Sequence, residues 1–338
     1  MALIKCENCG GNVSDKAKVC PHCGSVLNQG ISIISGPEIE EKHEVKASQE
    51  INSSRKSSPW ISLRFAMIAM IAIVALAIVG YHWYEHSSNT PKTSYDSIES
   101  LTEAAEKGDA DAQFELGKCY YNGEKVAQDY SEAVKWFRKA TEQGNPNGQA
   151  ALGICFLYGV GVPQDNKEAV KWFSKAAKHG NSLGQVYLGR CYRNGLGVPQ
   201  DINEAVEWFR KSAEHGDADG EACLGDCFYF GYGVPQDYSE AVKWFRKAAE
   251  QGNPLGQVAL GACYMNGFGV PQDYNEAVKW YRKAAEQGNS DGQVALGNCF
   301  FDGYGVPQDY NEAVKWYRKA AEQGHEGAIR ALEEMGSD

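Results

Sequence analysis

Near the start of the chain, cysteines stand in two pairs, Cys6-Glu7-Asn8-Cys9-Gly10 and Cys20-Pro21-His22-Cys23-Gly24. Two sulfurs at C-x-x-C spacing can turn toward one point, and the glycine after each pair permits the tight knuckle this requires. Two such knuckles present four thiolates tetrahedrally, the donor set of a closed structural Zn²⁺ site, with Cys6, Cys9, Cys20 and Cys23 as ligands. A closed site leaves no open position for catalysis. The other uses of such sulfurs are redox dithiols and disulfides. His22 could replace one cysteine, although four thiolates already suffice. So short a segment cannot build a core, so the metal would supply its folding free energy. Only Lys5, Lys16 and Lys18 are basic here, which is little for holding nucleic acid.

This cysteine pattern resembles the short zinc ribbons found at the N-termini of bacterial proteins, over residues 1–27. Residues 28–59 follow, rich in Ser, Glu, Lys and Asn and without an aromatic residue, and are expected to form a disordered linker. Residues 60–84 are expected to form one transmembrane helix. Within them 65–80 is an unbroken run of uncharged, almost wholly apolar residues, and 61–81 as a helix would span about 30 Å. Trp60 at one end and Trp83 and Tyr84 at the other suit the two interfaces, and Arg64 can snorkel. A buried core helix would show a polar face, which this run does not. A cleaved signal peptide would not start so far into the chain. Lys46, Arg55, Lys56 and Arg64 precede the span while Lys92 alone follows closely, so the N-terminus is expected in the cytoplasm and the rest outside it. That setting would be a bacterial inner membrane and periplasm. Residues 85–95 read as a polar spacer.

What these segments carry is a periodic array over 96–338. Gly108, Gly144, Gly180, Gly216, Gly252, Gly288 and Gly324 stand 36 residues apart with no insertion. Such a period marks a solenoid. Residues 252–287 show one unit, GNPLGQVALGACYMNGFGVPQDYNEAVKWYRKAAEQ. Helix A is expected over 254–266, with Asn253 as N-cap and Pro254 at its first position. A Gly267-Phe268-Gly269-Val270-Pro271 loop bars continuation. Helix B begins at Asp273, and Glu276 is expected to complete a capping box, as in every other unit. Ala277, Trp280, Tyr281 and Ala284 form one apolar stripe and Leu260, Cys263 and Tyr264 another, while Gly256 and Gly261 allow close backbone approach. Neither helix can bury its face alone, so units must stack.

The pattern closely resembles the Sel1-like repeat, a relative of the tetratricopeptide repeat, over six full units. The resemblance implies an all-α fold, a right-handed α/α solenoid of six Sel1-like repeats, with half-repeats at 96–107 and 325–335 as caps. It also implies an adaptor that holds other proteins together. The first unit departs from the pattern, because Lys125 replaces the second loop glycine and Ala127 the proline, so its loop is expected to differ in shape. Helix B carries no cysteine, which breaks the likeness to secreted β-lactam-binding relatives with bridged helices. Cys119, Cys155, Cys191, Cys227, Cys263 and Cys299 share one helix A position, with Cys223 left over. All seven are expected to be free, shielded packing groups, because equivalent helices lie too far apart for a disulfide.

Two helix A positions vary from unit to unit. One reads Lys118, Ile154, Arg190, Asp226, Ala262, Asn298; the other reads Tyr121, Leu157, Arg193, Tyr229, Met265, Phe301. In tetratricopeptide-like solenoids helix A lines the concave face, so these are the candidate partner contacts. Drift on a solvated face, or partial burial of the second set, would also produce such variation. Residues 96–338 sum to a net charge of −12, which disfavours binding to a phosphate backbone. No catalytic constellation and no small-molecule substrate site is visible, and the loop glycines lack the Lys-Ser/Thr of a phosphate loop. The reading is a membrane-tethered, non-enzymatic scaffold for a protein or peptide partner. The rivals are an envelope hydrolase and a zinc-ribbon regulator or sensor.

Overall fold

A computed structural model describes residues 3–5, 12–14, 95 and 97–336. The chain divides into two compact units, Met1–Ser58 and Pro59–Asp338. In the first, strands β1 (Leu3–Lys5) and β2 (Asn12–Ser14) pair antiparallel, with Leu3 opposite Ser14 and Lys5 opposite Asn12. An all-α description therefore holds for the solenoid alone. Cys6 and Cys9 fall between the two strands in the chain, where a knuckle belongs, but all four cysteines lie outside the described residues. The expected linker, transmembrane helix and spacer lie outside them too, apart from Tyr95. Among the described residues no helix is long and apolar enough to cross a membrane.

The second unit is a succession of helix pairs. A half-repeat, α1 (Ile98–Glu106), precedes α2 (Ala110–Asn122) and α3 (Tyr130–Glu142). Then come α4 (Pro146–Tyr158), α5 (Asn166–Lys178), α6 (Ser182–Asn194) and α7 (Ile202–Glu214). The array continues with α8 (Ala218–Phe230), α9 (Tyr238–Glu250), α10 (Pro254–Asn266) and α11 (Tyr274–Glu286). It closes with α12 (Ser290–Asp302), α13 (Tyr310–Glu322) and the terminal half-repeat α14 (Glu326–Gly336). Even-numbered helices to α12 are the A helices, and odd-numbered ones from α3 are the B helices.

Two glycines per unit set the packing. A Cβ on Gly153 would lie 2.6 Å from the Phe173 ring, and the same notch takes Phe137, Phe209, Phe245, Tyr281 and Tyr317 against Gly117, Gly189, Gly225, Gly261 and Gly297. These four phenylalanines are among the most completely buried side chains. The second notch presses helix A onto the preceding B helix: a Cβ on Gly256 would meet the Ala248 Cβ at 2.7 Å. Each A helix thus locks to B helices on both sides, and burial propagates along the array. On the outer surface a lysine ammonium stands over each B-helix indole, Lys139 over Trp136 at 3.7 Å and Lys247 over Trp244 at 4.0 Å.

Two local expectations are corrected. The Asp N-caps are present, with Asp273 Oδ1 accepting from the Asn275 and Glu276 amides. The reciprocal half of the capping box is not. The Asp273 amide already donates to the Tyr264 carbonyl at 2.9 Å, as its counterparts do in every unit. Glu276 turns instead to Lys279 at 2.5 Å. A box with both halves forms only at α1, between Ser97 and Ser100, among the described residues. The first-unit loop does not change hand either. Lys125 adopts φ +63, the left-handed conformation that glycine holds in the other units, at an energetic cost that glycine avoids.

Candidate partner-binding surface

Successive A helices touch directly, α4 with α6, α6 with α8, α8 with α10 and α10 with α12, whereas no pair of successive B helices approaches so closely. The A helices therefore line the inner side of the array. A second link runs along them through their N-caps. Asn145 Nδ2 donates to Asp111 at 2.7 Å, Asn181 to Asn147 at 2.8 Å, and Asn253 to Asp219 at 2.8 Å. A row of glutamines supports it: Gln287 Nε2 donates to Gln257 Oε1 and Gln323 Nε2 to Gln293 Oε1, each at 2.8 Å. These contacts hold the inner wall in fixed register.

The variable positions divide when placed on this wall. Ile154, Tyr121 and Leu157 are buried in the core and cannot meet a partner, a correction to their selection from the sequence. Ile154 and Leu157 lie on α4, where every residue from Gly148 to Leu157 is buried, and Tyr121 on α2 packs edge-on to Tyr130 at 5.4 Å. Lys118 is mostly covered and paired with Glu115 at 2.9 Å. Ala262, Tyr229 and Met265 are partly exposed, and Asn298 and Phe301 are open to solvent. Asn298 Oδ1 accepts from the Tyr317 hydroxyl at 2.7 Å.

The middle of the wall concentrates charge. The Arg190 guanidinium stands 5.4 Å from the Tyr187 ring centroid and its Nη2 lies 3.9 Å from Cys223 Sγ. Arg193 stands over the Phe209 ring at 5.8 Å. Opposite them Asp226 is half-buried; burial pushes its carboxyl up to about 6, against the opposing pull of Arg193 and Arg190. One unit-specific group went unnoticed in the sequence. Glu221 occupies the place of Gln113, Gln149, Gln185, Gln257 and Gln293, and accepts from Gln251 Nε2 at 2.7 Å. Gln185 and Gln257 donate there to the Ala177 and Ala249 carbonyls, which a carboxylate cannot do. Burial raises the Glu221 carboxyl accordingly. The signal was available as the one acid in a column of amides.

The seven repeat cysteines are all free. Six are buried, and burial pushes the thiols of Cys155, Cys227, Cys263 and Cys299 up to about 12 and Cys191 to about 11. Cys119 departs from the expectation of full shielding: it is partly exposed. Among the described residues no group of three or more His, Cys, Asp or Glu could hold a metal ion.

Paired antiparallel helices stacked at a constant interval, with varied side chains along one wall, define an α/α repeat solenoid with a surface fit for macromolecular contact. The Sel1 repeat family model matches residues 110–145, 146–181, 182–217, 219–253, 254–289 and 290–325, and the chain belongs to that family. A zinc-ribbon domain model matches residues 2–27. A Sel1 repeat protein from Oxalobacter formigenes is 34% identical, with 78% of this chain and 76% of that one covered at a TM-score of 0.59. A protective antigen of uropathogenic Escherichia coli strains, with an SLR fold, is 41% identical at a TM-score of 0.56. That match covers 69% of this chain and 50% of the antigen, so the chain spans half the antigen's length. The search of curated proteins returned no match.

Proposed function

We propose that this chain is a membrane-anchored scaffold whose repeat wall binds a protein or peptide partner, without catalytic activity of its own. One observation carries the reading. The glycine notches and aspartate caps repeat at constant spacing, yet the wholly or partly exposed inner-wall side chains between them change in charge and size from Arg190 to Asp226 to Ala262 to Asn298. A frame that holds its backbone still while varying one wall is suited to recognising an extended, non-repetitive surface. Residues 60–84 would supply the anchor, with residue 1 in the cytoplasm and the repeats beyond the membrane. Residues 1–27 would hold one structural Zn²⁺ through Cys6, Cys9, Cys20 and Cys23, and the C-x-x-C pair set between β1 and β2 fits that role.

A photo-crosslinking residue placed in living cells at Arg190 or Ala262 should give a discrete heavier adduct. The same residue at Lys279, outward-facing on α11, should give none. Equal labelling from both sides, or from neither, removes the inner wall from consideration. Protease added to spheroplasts should cleave the repeats and spare residues 1–27; full protection would reverse the orientation.

A further inference from the structure

The corners where each A helix turns into its B helix run along one edge of the array, and they fall into two groups. In the last three units the residue between the two loop glycines is aromatic, Tyr232, Phe268 and Tyr304, and each B helix begins with Tyr238, Tyr274 or Tyr310. The second loop glycine sits against the first carbonyl of the preceding B helix: a Cβ on Gly269 would be 2.2 Å from the Tyr238 oxygen, and one on Gly305 2.2 Å from that of Tyr274. This approach brings rings from neighbouring units together in two of the three pairs, the third, Tyr232 with Phe230, lying within one unit. Phe268 stacks on Tyr238 at 4.9 Å, Tyr304 on Tyr274 at 5.0 Å, and Tyr232 on Phe230 at 5.3 Å. Phe230 is 54% exposed, Tyr310 52% and Tyr232 47%. The result is a ledge of solvent-facing rings rather than scattered ones, and such a surface on a folded domain marks an interaction site.

Within the corner stretches of the last three units charge has one sign, although Asp226 faces Arg193 and Arg190 of the preceding unit. Residues 226–239, 262–275 and 298–311 contain Asp226, Asp237, Asp273, Asp302 and Asp309 and no Lys or Arg. The equivalent stretches of the first three units contain Lys118, Lys125, Lys167, Arg190 and Arg193 among their acids. Behind the ledge a cavity of about 210 Å³ opens, walled by Met265, Tyr281 and Ala295, with Asn298 and Asp302 at its polar side and Tyr304 beside them. Apolar walls ending in a carboxylate and an aromatic face suit a long basic side chain, whose stem packs while its head meets the charge and the ring. A neutral sugar would use the rings and leave the carboxylates without a counter-charge. A second copy would bring another acidic solenoid against this one.

We propose that this ledge docks an Arg/Lys-rich segment of a partner protein, with one basic side chain seated in the cavity beside Asp302. The proposal deepens the scaffold reading and rests on it; the ledge lies at the helix corners away from Arg190, while its cavity borders the inner wall at Met265 and Asn298. The test uses the full chain and a fluorescein-labelled peptide of alternating Arg and Ser, followed by fluorescence anisotropy. Binding should weaken as salt rises from about 20 to about 200 mM, as screening requires. Asp302→Asn, and the pair Phe268→Ser with Tyr304→Ser, should each weaken it by about tenfold or more. Leu196→Ser and Glu124→Gln, at first-half corners, should leave it unchanged. Because the ledge side chains are solvent-facing, unchanged melting curves will separate lost binding from lost folding. Equal binding of a citrulline-for-arginine peptide, unchanged binding by the ledge variants, or no binding at low salt overturns the proposal. So does a concentration-dependent dimer in sedimentation that the Phe268/Tyr304 variant abolishes, or a soluble chito-oligosaccharide that displaces the peptide. Loss of the ledge result with a retained crosslink at Arg190 would sink this inference and leave the inner-wall reading standing.

Discussion

The first three repeats and the last three share a backbone and differ in what they show to solvent. In the first half the corners carry Glu124, Val160 and Leu196 between or beside the loop glycines, with basic and acidic side chains mixed around them. In the second half the same backbone positions carry Tyr232, Phe268 and Tyr304 with aspartates alone. Cores are alike: Gly153 takes the Phe173 ring and Gly297 the Tyr317 ring at the same 2.6 Å approach. A repeat frame held by small-residue notches lets its edge diverge: Val160 turns into the core there and Leu196 packs against it, whereas Tyr232 and Tyr304 stay open to solvent. One chain can thus present two surfaces without changing its fold.

The comparison would break first at the notches. Gly153→Ala and Gly297→Ala should each destabilise by about 2–3 kcal/mol, the cost of overpacking against an immobile ring. Urea unfolding of the full chain checks this. If only one half paid that cost, the two halves would not share one frame.

Asp226, at the boundary between the halves, comes next. Its folded carboxyl titrates near 6, above the ordinary value of 3.8, so ionisation disfavours the folded state. Stability should fall as pH rises through the interval between these values. Asp226→Asn should therefore stabilise by about 1–2 kcal/mol at pH 7, allowing for partial exposure, and have little effect near pH 3. An Asn variant less stable than the parent at pH 7 would mean that Arg190 and Arg193 depend on the carboxylate.

A smaller gain, about 1 kcal/mol, is expected from Glu221→Gln, which restores the donor found in the other units. Its folded carboxyl is likewise raised, so this gain should grow from acid toward neutral pH. Thermal melts at two pH values decide it. The smallest effects belong to the ledge. Tyr304→Ser and Phe230→Ser should change stability by no more than about 0.5 kcal/mol, since both rings are largely solvent-facing. A larger loss would make the aromatic edge part of the packing rather than a surface.

Much of this was legible beforehand because a 36-residue period forces each residue type into one recurring environment. The bounds of α10, the Asn253 cap and the Gly256 and Gly261 notches follow from that repetition. The column of variable residues was less legible. Ile154 and Asn298 share a register position, yet one is in the core and the other in solvent, since exposure depends on neighbouring units. The capping box failed for a related reason. The Asp273 amide is taken by the Tyr264 carbonyl, a bond across the corner that a four-residue motif cannot foresee.

By itself, then, the sequence determined the helix pairs, their caps, the repeat number and the family, because these depend on local spacing and on residues within a unit. Its C-x-x-C spacing also offers Cys6, Cys9, Cys20 and Cys23 as the donor set we propose, although these four lie outside the described residues. Only the tertiary structure decided which variable side chains reach solvent, that Lys125 would keep a glycine's conformation, and that Cys119 would be less covered than its counterparts. It also decided that Phe268 would meet Tyr238, some 30 residues back in the chain, as one ledge. The physical reason is that these outcomes depend on how one unit lies against the next, a distance set by glycine notches and ring sizes acting together.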